Sequence, residues 1–339
     1  MADRLRWGIL STGGIAHKFA TDLGRSRTGR LVAVGSRAPE SAVRFAAAHG
    51  GIRAHGSYEA LLADPEVQAV YIAPPHPQHA EWAVCAARAG KHILCEKPLA
   101  LRGADAKRMV AAAAQHGVLL MEAFMYRCHP QTSRLVELVR AGAIGELRGI
   151  EAFFVVQFPF DPAHRAYNRA LGGGGILDLG GYPVSFARLL AGAAAGRPFA
   201  APARFRGAGR LNRLTGVDEY ATAVADFPGG ITARLACGFS GPTGISASLT
   251  GTAGRIEVPV PFFPGQLGRE EKIVLHRPGA GPEEIGFPAG APLYALEADA
   301  VADALAAGRL EVAAMTPADT LGNMAVLDDW LAQVGVSYD

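Results

Sequence analysis

Arg6-Trp7-Gly8-Ile9-Leu10-Ser11-Thr12-Gly13-Gly14-Ile15-Ala16-His17-Lys18-Phe19 is the stretch on which the fold class turns. Arg6–Leu10 reads as a short apolar strand, and Ile15, Phe19 and Leu23 recur every fourth residue as one face of a helix. Between them lies a turn of the G-x-G-x-x-G/A kind, with Ser11 in the first glycine's place, Gly13 in the second and Ala16 in the third. Such a turn gives a pyrophosphate backbone room and seats it on the unpaired N–H groups of the helix N-terminus. Ser11, Thr12, Gly13, Gly14 and Ile15 are therefore candidate phosphate-binding residues. A glycine-rich strand-to-helix connection with no ligand is the plainer alternative.

The alternation continues outward. Strands are expected at Leu31–Gly35, Ile52–Ala54, Ala69–Ala73, Lys91–Cys95 and Val118–Met121, with helices at Pro39–His49, Ser57–Ala63, Gln78–Ala89 and Ala104–His116. Repeated strand–helix units argue for a parallel sheet covered on both faces. After a helix at Gln131–Ala141 the period changes to two. Ile150–Phe158 alternates, and Tyr220–Phe227 meets Ile231–Phe239 across Pro228-Gly229-Gly230, a hairpin signal. Residues 150–275 thus read as a mostly antiparallel sheet holding a helix near Asp178–Leu190. Helices at Tyr294–Ala307 and Pro317–Val334 follow, and 259–268 and 278–292 read as loops. The expected division is 1–125 and 126–339, with the last helix returning toward the first domain.

A chain of 339 residues is long enough for two domains, and half of its residues are hydrophobic. A formal net charge of +2 is too mild to argue for nucleic acid or an anionic membrane. There is no long apolar run and no export-signal pattern, so a cytoplasmic protein is expected. Cys85, Cys95, Cys128 and Cys237 have neither metal-ligand nor disulfide spacing, and no metal is expected.

Ser36-Arg37 follows the second strand, where NAD enzymes usually carry an acid about twenty residues past the turn. An arginine there suits a 2′-phosphate with Ser36 as a hydrogen-bond partner, so NADP is favoured and NAD is the alternative. A surface pairing of Arg37 with Glu40 would explain it equally simply. Two later strands run into Pro74-Pro75-His76-Pro77-Gln78-His79 and Cys95-Glu96-Lys97-Pro98, at the sheet edge where open α/β folds bind ligands. Lys97 either belongs to a site or pairs with Glu96. Gly172–Gly175 brings backbone close to a ligand or another segment, and Asp178 and Tyr182 beyond it are four apart on one helical face. Oxidising an alcohol requires loss of its hydroxyl proton, and an ammonium beside a phenol lowers the phenol's pKa from about 10. Tyr182 with Lys97 would form such a relay, oriented by Asp178. A core tyrosine bonded to an aspartate fits the residue types as well.

Together these segments resemble the glucose–fructose oxidoreductase/inositol dehydrogenase (Gfo/Idh/MocA) family, and within it the dihydrodiol and D-xylose dehydrogenase branch. Trp7–Gly13, His76–His79, Ala89–His92 with Cys95–Pro98, Met121–Arg127 and Asp178…Tyr182 carry the resemblance. It implies an α/β protein: a doubly wound Rossmann domain, then an α+β domain with an open-faced, mostly antiparallel sheet that joins subunits into a homodimer or homotetramer. It implies catalytic roles for Lys97 and Tyr182, with Asp178 beside them. Pro74, His76, His79, Glu96 and Arg127 join the expected cofactor residues, and Arg165, Asn168 and Phe158 the expected substrate residues. His164, Phe153, Phe160, Phe262 and Phe263 are further candidates around the substrate. The expected activity moves a hydride between NADP(H) and a sugar, sugar derivative or cyclic trans-diol. A nucleotide-dependent glycosidase working by transient oxidation and elimination is the alternative, and a non-catalytic nucleotide sensor a more distant one.

Overall fold

Six parallel strands, β1 (Leu5–Leu10), β2 (Gly29–Gly35), β3 (Arg53–His55), β4 (Ala69–Ile72), β5 (His92–Glu96) and β6 (Leu120–Ala123), form one sheet in the order β3-β2-β1-β4-β5-β6. The chain runs outward from β1 to β3, then returns to place β4 on the other flank of β1. That reversal opens a crevice at the carboxyl ends of β1 and β4, the switch point of a doubly wound sheet. The helices are α1 (Gly14–Leu23), α2 (Pro39–Ala48), α3 (Tyr58–Leu62), α4 (His79–Arg88) and α5 (Gly103–Gln115). α3 starts because the Ser57 hydroxyl accepts the Ala60 N–H at 3.1 Å. Phe19 of α1 stacks on Tyr71 of β4 at 3.9 Å between ring centres, so the helix that follows the turn is keyed to the sheet's middle.

This computed structural model describes residues 4–266, 271–287 and 292–338. The second sheet has eight strands. They are β7 (Leu147–Gln157), β8 (Arg204–Leu211), β9 (Asp218–Phe227), β10 (Ile231–Gly238), β11 (Ser240–Gly251), β12 (Gly254–Val258), β13 (Lys272–His276) and β14 (Glu283–Gly286), in the order β14-β13-β12-β11-β7-β10-β9-β8. Neighbours pair antiparallel except β7 with β10, which run parallel. The expected hairpin forms: Phe227 pairs with Ile231 across the three-residue turn, where Gly229 and Gly230 take positive φ. α6 (Pro130–Arg140) and α7 (Gly181–Ala194) belong to this part of the chain. β14 falls inside the expected loop 278–292, and parts of both expected loops lie outside the described residues.

The chain divides into Met1–Cys128 with Pro292–Leu321, and His129–Ala291 with Gly322–Asp339. The chain thus passes between the two units more than once. α8 (Leu293–Ala306) and the start of α9 (Pro317–Val334) belong with the parallel sheet. The buried side chains of α8 explain this, since the Ser26 and Thr28 hydroxyls both donate to Asp299. The later part of α9 packs within the second unit, where the Trp330 ring fills the space left by Gly207 and Gly180. Among the described residues no helix is long and apolar enough to cross a membrane.

Candidate active site

In the first unit the turn after β1 has the geometry that an anion requires. Ser11 has φ of +119°, the one positive value outside glycine among the described residues. Its hydroxyl accepts the Gly13 N–H at 3.3 Å. Gly13 precedes α1 in an extended conformation, no side chain caps the helix, and no acid occupies its first turn. A Cβ on Gly14 would stand in open space. The helix N-terminus thus presents bare N–H groups and no competing negative charge, which fits the pyrophosphate of a dinucleotide.

Arg37 lies just past the carboxyl end of β2, where its charge acts on the Tyr58 hydroxyl. Burial raises the Tyr58 pKa, while the Arg37 charge pulls it down. Ser36 is buried, and its hydroxyl oxygen accepts the Ala38 N–H at 3.2 Å, so it also shapes the loop. Tyr58 was not expected from the sequence. The capped start of α3 was the signal, since it fixes the first residue of that helix beside the end of β3.

The β4 and β5 loops are joined by His79. It is fully buried, with Nε2 2.9 Å from the Pro74 carbonyl oxygen and Nδ1 3.0 Å from that of Pro98. Burial lowers its pKa. His79 therefore lies between the two loops, and its neutral ring donates its one N–H to one of the two carbonyls at a time. His76 stacks edge-on against it, at 5.6 Å between ring centres, and is less buried. Glu96 accepts the Tyr71 hydroxyl proton through one oxygen and its neighbour's backbone N–H, that of Lys97, through the other at 3.2 Å. Lys97 is half-buried at the end of this strand. Arg127 differs from the expectation: its side chain is buried in an ion pair with Asp319 at 2.7 Å. Its charge is thus matched by a carboxylate inside the first unit. Glu122 beside it accepts the Leu99 N–H at 2.9 Å, and burial pushes its carboxyl up to about 7.

In the second unit the glycine run leads into a widened π turn, Ile176–Gly180, and then into α7. Pro183 lacks the N–H that would bond the Leu179 carbonyl, so an ordinary α turn cannot close there. Asp178 and Tyr182 are 3% and 2% exposed. The Arg165 guanidinium reaches Asp178 at 3.1 Å, uniting two of the expected substrate residues. Phe154, Phe262 and Phe263 wall the Tyr182 ring at 5.1, 5.3 and 5.7 Å between centres.

Phe153 was expected in that wall and is not there. It shares the opposite face of the sheet with Val155 and Tyr220, because neighbouring strand residues point apart. Phe158 packs on His164 and Phe239, and Phe160 on Tyr167. The Asn168 side-chain oxygen accepts the Ala170 N–H at 3.0 Å, starting the short helical turn Arg169–Leu171. Among the described residues no group of metal-binding side chains occurs.

The family model "Oxidoreductase family, NAD-binding Rossmann fold" matches residues 5–124, and "GFO/IDH/MocA C-terminal domain" matches residues 132–257. The chain is 34% identical over 338 residues to trans-1,2-dihydrobenzene-1,2-diol dehydrogenase of Mus musculus, covering 98% of both chains. It is 34% identical to the Homo sapiens protein of the same name, covering 97% of this chain and 96% of that one. KijD10, a 3-ketoreductase from Actinomadura kijaniata solved with NADP and TDP-benzene, superposes with a TM-score of 0.86 at 29% identity, covering 98% of both chains. The two matched regions, the parallel sheet with its bare turn and the mixed sheet beyond it, lead to one conclusion: this chain is an enzyme of the Gfo/Idh/MocA oxidoreductase family.

Proposed function

We propose that the protein transfers a hydride between NADP(H) and a carbon bearing a hydroxyl group in a sugar, a sugar derivative or a cyclic trans-diol. Tyr182 is the general acid/base and Lys97 its electrostatic partner. The observation that carries this reading is the setting of Tyr182: a buried phenol inside three phenylalanine rings, one helical turn from an Asp178–Arg165 pair. When bound, the nicotinamide supplies or accepts the hydride. In the oxidising direction Tyr182 takes the hydroxyl proton as the carbon–hydrogen bond breaks. In the reducing direction it returns a proton to the new alkoxide. The Lys97 ammonium stabilises the phenolate that this exchange requires, and the aromatic wall keeps water from competing for the proton. Asp178 accepts a neighbouring substrate hydroxyl, held in place by Arg165.

NADP is preferred over NAD on the strength of Arg37, which sits beside Tyr58 just past β2, with Ser36 and no acid before it. The NADP held by KijD10 agrees with this choice. The outward face of the second sheet carries an apolar groove of about 710 Å³ lined by Phe153, Val155, Tyr220 and Leu235, which supports assembly of copies through that face.

A panel of aldoses, ketoses and trans-diols, run with NADP and NAD in parallel, tests the reading. Reduced nicotinamide should form in step with substrate, faster with NADP. Glycoside cleavage without net cofactor change would replace this reading by the elimination mechanism. Lys97→Met and Tyr182→Phe should each lower turnover by about 10²- to 10⁴-fold while keeping NADP affinity within about threefold. Retained turnover in both variants would sink the relay.

A further inference from the structure

Asp218, the first residue of β9, is fully buried, and among the described residues no arginine or lysine forms an ion pair with it. Its Oδ2 instead accepts the Ile176 N–H at 2.7 Å, and a Cβ on Gly175 would stand 3.2 Å from the same oxygen. Ile176 opens the helical run that carries Asp178 and Tyr182. Its other oxygen, Oδ1, has no hydrogen-bond partner among the described residues. Gly174 has φ of +115°, and a Cβ there would stand 2.5 Å from Asp218 Oδ1 and 2.8 Å from the Tyr338 hydroxyl. Only glycine fits between them. The Tyr338 hydroxyl donates to the Gly173 carbonyl, and Arg169 donates to the Ser337 carbonyl, so residues 337 and 338 strap the glycine run from its other side.

We propose that Asp218 is a positioning residue: a buried carboxylate that caps the glycine run and, with Tyr338, holds the segment bearing Asp178 and Tyr182 in its reactive placement. This rests on the reading of Tyr182 as the proton carrier. Burial pushes the Asp218 carboxyl up to about 6, against the pull of the backbone N–H groups. The titratable groups facing it are Cys237 on β10 and Tyr338 on the tail, with Arg169 beyond Tyr338. An acid raised in this way makes the folded chain bind more protons than the unfolded chain between the ordinary carboxylate range and about pH 6. Stability therefore falls as pH rises through that window, and the ionised carboxylate weakens the fold at neutral pH. The same ionised carboxylate makes the stronger cap, because charge-assisted bonds to N–H groups exceed neutral ones.

Asp218→Asn in the full-length protein separates these effects. At about pH 8 its melting temperature should equal or exceed the wild type's, because the penalty of the buried charge is gone. Amide hydrogen exchange over residues 174–182, corrected for chemical exchange, should quicken by about tenfold. The wild type should reach the same exchange below about pH 6. With trans-1,2-dihydrobenzene-1,2-diol and D-xylose as probe substrates, kcat/KM should fall by about tenfold and lose its acid limb near pH 6. Unchanged exchange overturns the cap. Quickened exchange with unchanged kcat/KM overturns the positioning role. If Tyr182→Phe stays active, the proton-carrier reading fails; if it is inactive while Asp218→Asn changes nothing, this proposal fails alone. Should Asp218→Asn not fold, Tyr338→Phe decides: it should quicken exchange at 172–176 by about threefold, and no change there overturns the strap.

Discussion

Two glycine-rich turns open helices in this protein, and they are electrical opposites. The first, Ser11–Gly14, begins α1 with bare N–H groups, no capping side chain and no acid in the first turn. The second, Gly172–Gly175, begins the run through Ile176–Gly180 into α7 with a buried carboxylate already bonded to the Ile176 N–H. One helix N-terminus is open to an anion from solution, and the other holds an anion of its own chain. Glycine in both supplies the same thing, room for close approach. What approaches is decided by a residue elsewhere.

Making the first turn resemble the second is the most severe test of this contrast. Gly13→Asp would place a carboxylate at the bare N-terminus, where the nearest atom to its Cβ, the Ser11 hydroxyl oxygen, is 3.6 Å away. NADP affinity, measured by titration of nucleotide fluorescence, should fall by about a hundredfold or more, with melting temperature held or raised by the new cap. Undiminished affinity would mean that the two turns do not differ as described. Arg37→Glu comes next. It should weaken NADP by about ten- to a hundredfold and NAD far less, and a fixed NADP-to-NAD ratio of dissociation constants would remove the 2′-phosphate from Arg37. The smallest effect is expected from Ser11→Gly, which releases a serine from φ of +119°. Unfolding stability in denaturant should rise by about 1 kcal/mol, and a loss of stability would mean that the Ser11 hydroxyl contributes more than its backbone costs.

The strand and helix alternation around β1 was readable because local pattern and packing agree there. The pairing of Asp178 with Tyr182 was readable as a spacing. Contacts made over long chain separations were not. Arg127 meets Asp319 across 192 positions and Ile176 meets Asp218 across 42, and neither partner leaves a trace in the other's neighbourhood. The Arg127 sequence neighbourhood therefore gives no sign of the buried carboxylate that pairs with it. Phe153 was misplaced for another reason. The alternation of β7 names two faces without saying which is inward, and Phe154 proved to be the residue against Tyr182. His79 was recognised as important, but only its two carbonyl contacts reveal that it acts as a tie.

The π turn at Ile176–Gly180 has a consequence for how this protein can change. A helix fixes the angle between any two of its side chains, and a single widened turn shifts the phase of everything after it relative to everything before. Asp178 lies inside that turn and Tyr182 just beyond it. Their relative bearing is thus set by one extra residue of winding, held open by Pro183. A one-residue deletion within the turn would keep both side chains and both helices, yet point the carboxylate and the phenol at different places. Such a deletion would redirect the second unit's two reactive groups without touching the parallel-sheet unit.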